Sequence, residues 1–471
     1  MFELHHLTAQ EQWDWLHRGE ISPAELSRHY LDRIERHNEA LGAFVTVTKD
    51  SAMERAMQLE SLVPRAAPLW GLPLADKDLE RRAGARNTFG SRLFANAIAE
   101  ESDEGVLARD AAGAISLGST NTPEFGLSSY TENLVTNPAR NPYDLALGAG
   151  GSSGGAAVAV AAGLLPMAPG SDGGGSIRIP AAATGLVGLK PSRGRIASGA
   201  GFASLAGLVV PGPIARTVGD AAMMLDALVS ADTYNYATGA PSWDGGAFLN
   251  AAVRGEGRFQ IGIMTTSPWD AAYEIALAPD ATAALELAIN ELAAIGHGLD
   301  AIALEPADTY PEAFRTIWQA SAATIPAYGA QLELLEPLTR WLVERGRALG
   351  AAALAVALEQ LVAVERSLIR QLSGFDAVIT PALAMTPRPI GWYDAVDAER
   401  NFAQQVQYTP FTSMANVSGL PAISLPVHVT DEGLPMGVQL IGRPGGEHTL
   451  LAIGAQLERR LRWERRHPPQ W

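Results

Sequence analysis

Two glycine-rich stretches that each carry serine are the parts of this chain best suited to chemistry. Residues 148–155 read GAGGSSGG and residues 170–178 read GSDGGGSIR, with one apolar segment between them. Glycine loses more conformational entropy on folding than other residues, so a high density of glycine needs a physical reason. The reason can be backbone in the left-handed region, close approach of a ligand, or backbone N–H groups that are free to bind a ligand. We interpret the stretch as the active site of a serine hydrolase whose base is a lysine.

A serine attacks a carbonyl only when a base removes its proton. Histidine is the usual base, yet no histidine lies between His37 and His297. A Ser-His-Asp site stays open, because triad members can be distant in sequence. The alternative base is lysine, whose neutral amine accepts a proton when burial lowers its pKa.

Lysine is scarce in this chain. Only Lys49, Lys77 and Lys190 are lysines among 35 basic residues, so arginine serves wherever a cation is merely needed. Lys77 follows an apolar segment and is the candidate base. An ion pair of Lys77 with Asp76 or Asp78 is the competing interpretation, and composition alone leaves both open.

The second stretch places consecutive backbone N–H groups of Gly173, Gly174 and Gly175 beside the hydroxyl of Ser176. Fixed donors of this kind form an oxyanion hole where carbonyl charge develops. A phosphate-binding loop is a weaker interpretation, because the Gly-Lys-Ser/Thr ending is absent. Two tight turns packed against a sheet are the third.

The elements that position these residues follow from patterning. Ser22, Pro23 and Glu25 form a capping-box helix start. The segment from Leu72 to Asp78 is expected to be a short buried strand that runs into a loop. Further helices are expected at 105–112, 153–164, 218–229 and 447–460, and through most of 279–373; strands are expected at 44–47, 114–118, 166–169, 259–264, 377–380, 422–427 and 437–441. This alternation is typical of an α/β domain with a mixed or mostly parallel sheet.

Composition excludes several classes of function. The chain of 471 residues has a net charge of -16, which argues against a nucleic-acid partner. It has no cysteine, which excludes disulfides, thiolate zinc sites and a cysteine nucleophile. The N-terminus resembles no signal peptide, and the longest apolar run, 156–169, is too short to span a bilayer. We expect a cytoplasmic protein with no membrane partner.

The motifs resemble those of the amidase signature family of serine hydrolases, over about residues 20–460. The matching segments are GLPLADKD at 71–78, TNTPEF at 120–125, GGSSGG at 150–155, GSDGGGSIRIP at 170–180, GLKP at 188–191, GPIARTV at 212–218, GLPAIS at 419–424 and GLPMGVQLIG at 433–442. The SDGGGS form is similar to the branch of bacterial amidases that contains 6-aminohexanoate-cyclic-dimer hydrolase.

The resemblance implies an α/β fold with a large mixed central β-sheet flanked by helices on both faces. It implies one amidase domain over 1–471, divided into a helical N-terminal region (1–65), a signature core (66–230), a mostly helical substrate-side region (231–375) and the C-terminal part of the core (376–471). The N-terminal helices leave a homodimer open.

The resemblance also implies a Ser-cisSer-Lys triad: Ser176 as nucleophile, Ser152 after a cis peptide bond as proton relay, and Lys77 as base. The implied oxyanion donors are the backbone groups of Gly173, Gly174, Gly175 and Ser176. The implied reaction is hydrolysis of a small linear or cyclic amide through an acyl-enzyme, with no metal and no cofactor.

Four residues are expected to bind substrate: Tyr130, Thr131, Phe202 and Trp318. Their apolar and aromatic character favours an apolar or aromatic acyl group. Asp172 and Arg178 are expected to support the turn rather than to act as acid or base. The alternative function is the A subunit of a tRNA-dependent amidotransferase, against which the acidic composition stands.

Overall fold

The computed structural model describes residues 3–196, 204–229 and 246–471 and contains fifteen α-helices and thirteen β-strands within those ranges. The helices are α1 Ala9–Arg18, α2 Pro23–Leu41, α3 Lys49–Leu62, α4 Glu104–Ala111, α5 Gly154–Ala161, α6 Arg178–Ala183, α7 Val218–Leu228, α8 Phe248–Arg254, α9 Pro279–Ile295, α10 Tyr310–Ala322, α11 Pro337–Arg347, α12 Ala351–Leu372, α13 Ala398–Tyr408, α14 Ser413–Val417 and α15 Glu447–Leu461.

The strands divide into three sheets in the described part of the chain. They are β1 Phe44–Val47, β2 Pro73–Lys77, β3 Ile115–Thr120, β4 Arg140–Asn141, β5 Asp144–Gly148, β6 Met167–Asp172, β7 Val187–Lys190, β8 Val210–Ala215, β9 Gln260–Ile263, β10 Gly298–Ala301, β11 Ala377–Pro381, β12 Ala422–Val429 and β13 Pro435–Gly442.

The largest sheet has eight strands in the order β10-β9-β11-β13-β12-β7-β8-β6. Strands β10, β9 and β11 are mutually parallel, and the remaining neighbours pair antiparallel. Helices cover both faces: a side chain at Gly437 of β13 would meet Ala182 of α6, whereas one at Gly442, on the opposite face, would meet Leu450 of α15. The predicted large mixed sheet flanked by helices is confirmed.

Lys77 belongs to a separate three-stranded sheet, in which β3 lies between β1 and β2. Strand β2 runs parallel to β3, with Lys77 opposite Thr120 at its carboxyl end. All five residues of β2 are buried. The expected buried strand at this position is confirmed. The candidate base therefore lies in a different sheet from β6, the strand that leads into the loop with the candidate nucleophile.

Helix α5 joins the two sheets. Its eight residues are all buried and all are Gly, Ala or Val, and it packs against strands of both sheets. Such small side chains let the backbones approach closely. A methyl group at Gly155 would lie 2.2 Å from the backbone nitrogen of Asn121 and 2.4 Å from the carbonyl oxygen of Ala43. Tight packing at α5 therefore fixes the first glycine-rich turn.

The structure contains five strands that patterning did not predict, namely β4, β5, β7, β8 and β10, and two of them show why. Strand β10 lies inside the stretch expected to be mostly helical, as an edge strand of only four residues. Strand β8 contains Pro211 and Pro213 yet pairs on both sides, with β6 and β7. Proline normally argues against a central strand, because it cannot donate to the ladder.

No single helix in the described ranges is long and apolar enough to cross a membrane. Helices α11 and α12 reach the required length and composition only when taken as a pair, and they are bent by 106° at their junction.

The packing at α5 can be tested by Gly155→Ala. We expect this substitution to lower the free energy of unfolding by about 1–3 kcal/mol, because the added methyl overpacks fixed backbone. Gly374→Ala is the control, since nothing lies within 4 Å of the position that its methyl group would occupy. Chemical denaturation of both variants measures the difference; equal stability would show that α5 is not tightly held.

Candidate active site

The Lys77 amine lies in a buried cluster of hydroxyl groups. Its side chain is 1% exposed. Nζ donates to Ser152 Oγ at 2.8 Å and to Ser171 Oγ at 3.1 Å, with the Ser171 carbonyl oxygen at 3.4 Å. The structure thus brings Lys77 and Ser152 together across 75 positions of sequence. Ser171 is a contact that sequence reasoning missed, although the serine lies within the second glycine-rich stretch.

The ion pair that composition left open for Lys77 is not formed. Asp76 binds Arg82 at 2.6 Å and Arg109 at 2.8 Å. Asp78 accepts hydrogen bonds from the amide and the hydroxyl of Thr88. Both neighbouring carboxylates therefore have other partners.

Burial lowers the pKa of Lys77 to about 7, although the charges of Asp172 and Glu80 offset part of that effect. An amine with this pKa is substantially neutral near neutral pH and can accept a proton. The contacts and the pKa together make Lys77 a chemically competent base toward the Ser152 hydroxyl.

The two glycine-rich turns meet at Ser152, Ser153 and Ser176. The Gly151–Ser152 peptide bond is cis, as the resemblance implied. The Ser153 N–H donates to the Ser176 carbonyl oxygen at 3.0 Å. No hydrogen bond joins the hydroxyls of Ser152 and Ser176, both of which lie in the described part of the chain, but both residues line one cavity.

The loop from Gly173 to Ser176 offers three free backbone donors rather than four. The amide of Gly175 donates to Asp172 Oδ1 at 2.7 Å. The amides of Gly173, Gly174 and Ser176 donate to no atom of the described residues. The set expected from the sequence therefore narrows to these three N–H groups, because Gly175 already has an acceptor.

A buried ion pair holds this loop. Asp172 and Arg178 are both fully buried and form two hydrogen bonds, at 2.9 and 2.8 Å. Burial alone would raise the pKa of Asp172, but the charge of Arg178 and its hydrogen bonds lower it to about 2. Arg178 also donates to the Thr412 carbonyl and to Asn416 Oδ1. Both side chains are committed to the scaffold, as expected.

A cavity of about 290 Å³ opens beside the cluster of hydroxyls. It is lined by Leu79, Phe125, Gly126, Leu127, Ser152, Ser171, Gly173, Ser176, Ser204, Leu205, Leu208, Val209, Trp318, Ser321, Ala322, Thr324 and Ile325. We call this space the relay-side cavity, because it contains Ser152 and Ser171.

A second cavity of about 70 Å³ borders the loop from Gly173 to Ser176, at Gly174 and Ser176. It is lined by Leu127, Ser128, Ser129, Gly174, Ser176, Ile179, Trp269, Phe314, Trp318, Phe402, Gln405, Val406, Thr409 and Ser413. We call it the aromatic cavity. Ser176, Leu127 and Trp318 line both spaces, and no ionisable side chain of the described residues lines either one.

The four expected substrate-binding residues are distributed unevenly. Trp318 lines both cavities. Tyr130 lines neither and instead stacks on Tyr393, with ring centroids 4.1 Å apart. Thr131 also lines neither, because its hydroxyl donates to the Gly150 carbonyl at 2.8 Å and supports the turn. Phe202 lies outside the described residues. Sequence reasoning gave no signal for Trp269 and Phe402, which come from distant segments.

One group of side chains could hold a metal ion within the described ranges, and it is not part of this site. Glu3, His5 and His29 bring three ligand atoms within 4.8 Å of one another. The guanidinium of Arg33 lies 3.8 Å from the Oε2 atom of Glu3. Burial, aided by Arg33, lowers the pKa of His5 to about 2. The charge of Arg33 beside Glu3 opposes the binding of a cation at this group.

Comparison with known proteins agrees with the motif pattern. The family model described as Amidase matches residues 25–451. The chain is 37% identical to the protein named "Putative amidase AmiB2" of Mycobacterium bovis, over 96% of this chain and 95% of that protein. It is 32% identical to the A subunit of the glutamyl-tRNA(Gln) amidotransferase of Moorella thermoacetica, over 99% of both.

A solved structure shares the whole fold. The structure of 6-aminohexanoate cyclic dimer hydrolase complexed with substrate superposes with a TM-score of 0.89 at 30% identity, covering 99% of this chain and 100% of that one.

The protonation state of Lys77 predicts a pH dependence. A proton acceptor must be neutral, so kcat/KM for an amide should rise with pH, level off above about 7, and fall about tenfold per pH unit below it. Lys190 supplies the control, because burial lowers its pKa to about 7 as well, yet among the described residues it donates only to the Pro191 carbonyl. The Lys190→Met variant should still show the fall of kcat/KM below about pH 7. If that fall disappears in Lys190→Met, the titrating group is Lys190 and not Lys77.

The loop-holding ion pair predicts a stability effect. Asp172→Asn leaves the buried Arg178 charge unpaired and should lower the free energy of unfolding by about 3–5 kcal/mol. The exposed ion pair of Lys49 and Glu35, whose charged atoms are 3.3 Å apart, is the control. Glu35→Gln should lower the free energy of unfolding by less than about 1 kcal/mol. Denaturant titrations compare the two, and equal costs would mean that the buried pair does not hold the loop.

Proposed function

The chain belongs to the amidase family of hydrolases that act on carbon–nitrogen bonds in amides, and we propose that it hydrolyses a small uncharged carboxylic amide, linear or cyclic, through an acyl-enzyme on Ser176. The observation that carries the proposal is the 2.8 Å contact between Lys77 Nζ and Ser152 Oγ, made beside a cavity that Ser176 also lines. The relay hydroxyl and the nucleophile hydroxyl then line one cavity, and the base is hydrogen-bonded to the relay hydroxyl.

In the first step neutral Lys77 takes a proton from Ser152 while Ser152 takes one from Ser176. The Ser176 oxygen forms a bond to the amide carbon, and the carbonyl oxygen becomes an oxyanion. The amides of Gly173, Gly174 and Ser176 stabilise that charge. Removal of one such donor costs about 3–4 kcal/mol of transition-state stabilisation in a serine hydrolase that uses the same device.

The carbon–nitrogen bond then breaks. The proton held on Lys77 returns through Ser152 to the departing nitrogen, so the amine leaves neutral. Water next attacks the ester of Ser176, gives its proton to the same relay, and releases the acid with the Ser176 hydroxyl restored. Lys77 and Ser152 end each cycle in the protonation state in which they began.

The A subunit of a tRNA-dependent amidotransferase is the alternative, and the 32% identical relative favours it. That function would require glutamine as the amide donor. Glutamine carries an ammonium and a carboxylate, and burying either without a partner is costly. The absence of ionisable side chains from both described cavity walls therefore favours an uncharged amide.

The two functions differ in what the purified chain does alone. We expect release of amine from uncharged amides such as 4-nitroacetanilide and butyramide, with glutamine turned over at least about 100-fold less efficiently, because its charges lack partners. Ammonia release and chromogenic assays measure both. Activity on glutamine only, or activity only with added partner proteins and aminoacyl-tRNA, would contradict the proposal.

The nucleophile is tested by covalent labelling with a fluorophosphonate. Ser176→Ala should abolish labelling, because it removes the attacking oxygen. Ser153→Ala is the matched control, because Ser153 is buried in the adjacent turn. Its hydroxyl donates to the Ser171 carbonyl oxygen at 3.4 Å, and the residue lines neither cavity. Labelling that persists in Ser176→Ala would place the nucleophile elsewhere.

A further inference from the structure

Ser176 lies where two cavities of different character meet. The relay-side cavity is about 290 Å³ and the aromatic cavity about 70 Å³. Ser152 and Ser171, the two hydroxyls that accept from Lys77, line only the relay-side cavity. The aromatic cavity is lined by Gly174 and Ser176 of the loop from Gly173 to Ser176. Its described lining residues include neither Ser152 nor Lys77.

The position of the relay restricts the direction in which an amide binds. The departing nitrogen must receive its proton from Ser152, which requires hydrogen-bond contact with that hydroxyl. The nitrogen and its substituent therefore face the relay-side cavity. The carbonyl carbon is held at Ser176, so the remaining substituent, the acyl chain, extends away from Ser152. The aromatic cavity is the space beside Ser176 that contains neither Ser152 nor Ser171.

We propose that the aromatic cavity binds the acyl group and that the relay-side cavity binds the leaving amine. This assignment rests on the proposed acyl-enzyme mechanism. It makes the enzyme selective for short or flat acyl groups and tolerant of large amines, because the amine space is the larger of the two.

The walls of the aromatic cavity support a strict limit on acyl size. The indole N–H of Trp269 donates to Ser413 Oγ at 2.9 Å, and the Tyr310 hydroxyl lies 2.8 Å from the same oxygen. Phe314 stacks on Trp318 with ring centroids 5.5 Å apart. Rings that are hydrogen-bonded and stacked cannot move aside without losing these contacts, so the space does not expand for a longer chain.

Two valines allow a matched test, because Val406 lines only the aromatic cavity and Val209 only the relay-side cavity. Val406→Ala should shift the preference for butyryl over acetyl 4-nitroanilide by about tenfold toward butyryl. Val209→Ala should leave that ratio within about twofold and instead change the ranking of acetamides that differ in their amines. Because Val209 faces the space beside Gly173, where an added methyl group would meet it, Ile325→Ala in the relay-side wall repeats the second test.

The deacylation step separates the two cavities further. After the amine has left, the acyl-enzyme is the same whatever amine was bound. Val406→Ala should therefore change the steady-state rate that follows the burst with the 4-nitrophenyl ester of butyric acid, whereas Ile325→Ala should not. The reverse pattern, or no change of either preference in any variant, would overturn the assignment.

Failure of the mechanism itself gives a different result. An enzyme that shows no burst with the 4-nitrophenyl ester of butyric acid and no acylated Ser176 on mass spectrometry would contradict the proposed acyl-enzyme. The ratios of kcat/KM for amides do not depend on a burst, so they still decide which cavity selects the acyl group.

Discussion

The structure depends on a buried amine that has no carboxylate partner. Lys77 is 1% exposed, and its hydrogen bonds go to two serine hydroxyls and one carbonyl oxygen. None of the described carboxylates lies within ion-pair distance of it. An unpaired ammonium in such surroundings is costly, so the group favours its neutral form. The lack of a carboxylate partner would destabilise a lysine with only a structural role. In a base, the same lack favours the neutral amine that can accept a proton.

In contrast to Lys77, the carboxylates of Asp76 and Asp172 beside the site are paired with arginines. Asp76, the residue before Lys77, is shared by Arg82 and Arg109. Asp172, which precedes the loop from Gly173 to Ser176, is held by Arg178 and also accepts a hydrogen bond from the Gly175 amide. Paired charges keep strand and loop in place, while the unpaired amine and the three free N–H groups remain for chemistry. The glycine-rich stretch is thus one half of a site that is completed by a strand of another sheet.

Sequence reasoning reached the features that are encoded locally. The scarcity of lysine singled out Lys77, and the capping box at Ser22 and Glu25 forms as predicted. It failed where tertiary contacts decide. Strand β8 was missed because its prolines argue against a central strand, and Gly175 was counted as a free donor because nothing local shows that Asp172 takes its amide. The cavity walls combine α10, α13 and the loop at 127–129, so most of their residues could not be grouped from sequence.

The central claim is that Lys77 is a neutral amine near neutral pH. The chain has three lysines, so protein labelled with isotope at lysine alone gives three side-chain signals in a nuclear magnetic resonance titration. The signal that disappears in the Lys77→Arg variant belongs to Lys77. We expect its midpoint near 7, as burial dictates. A Lys77 signal that still reports a charged ammonium at about pH 9 would contradict the account, because an amine with an ordinary pKa could not accept the proton of Ser152.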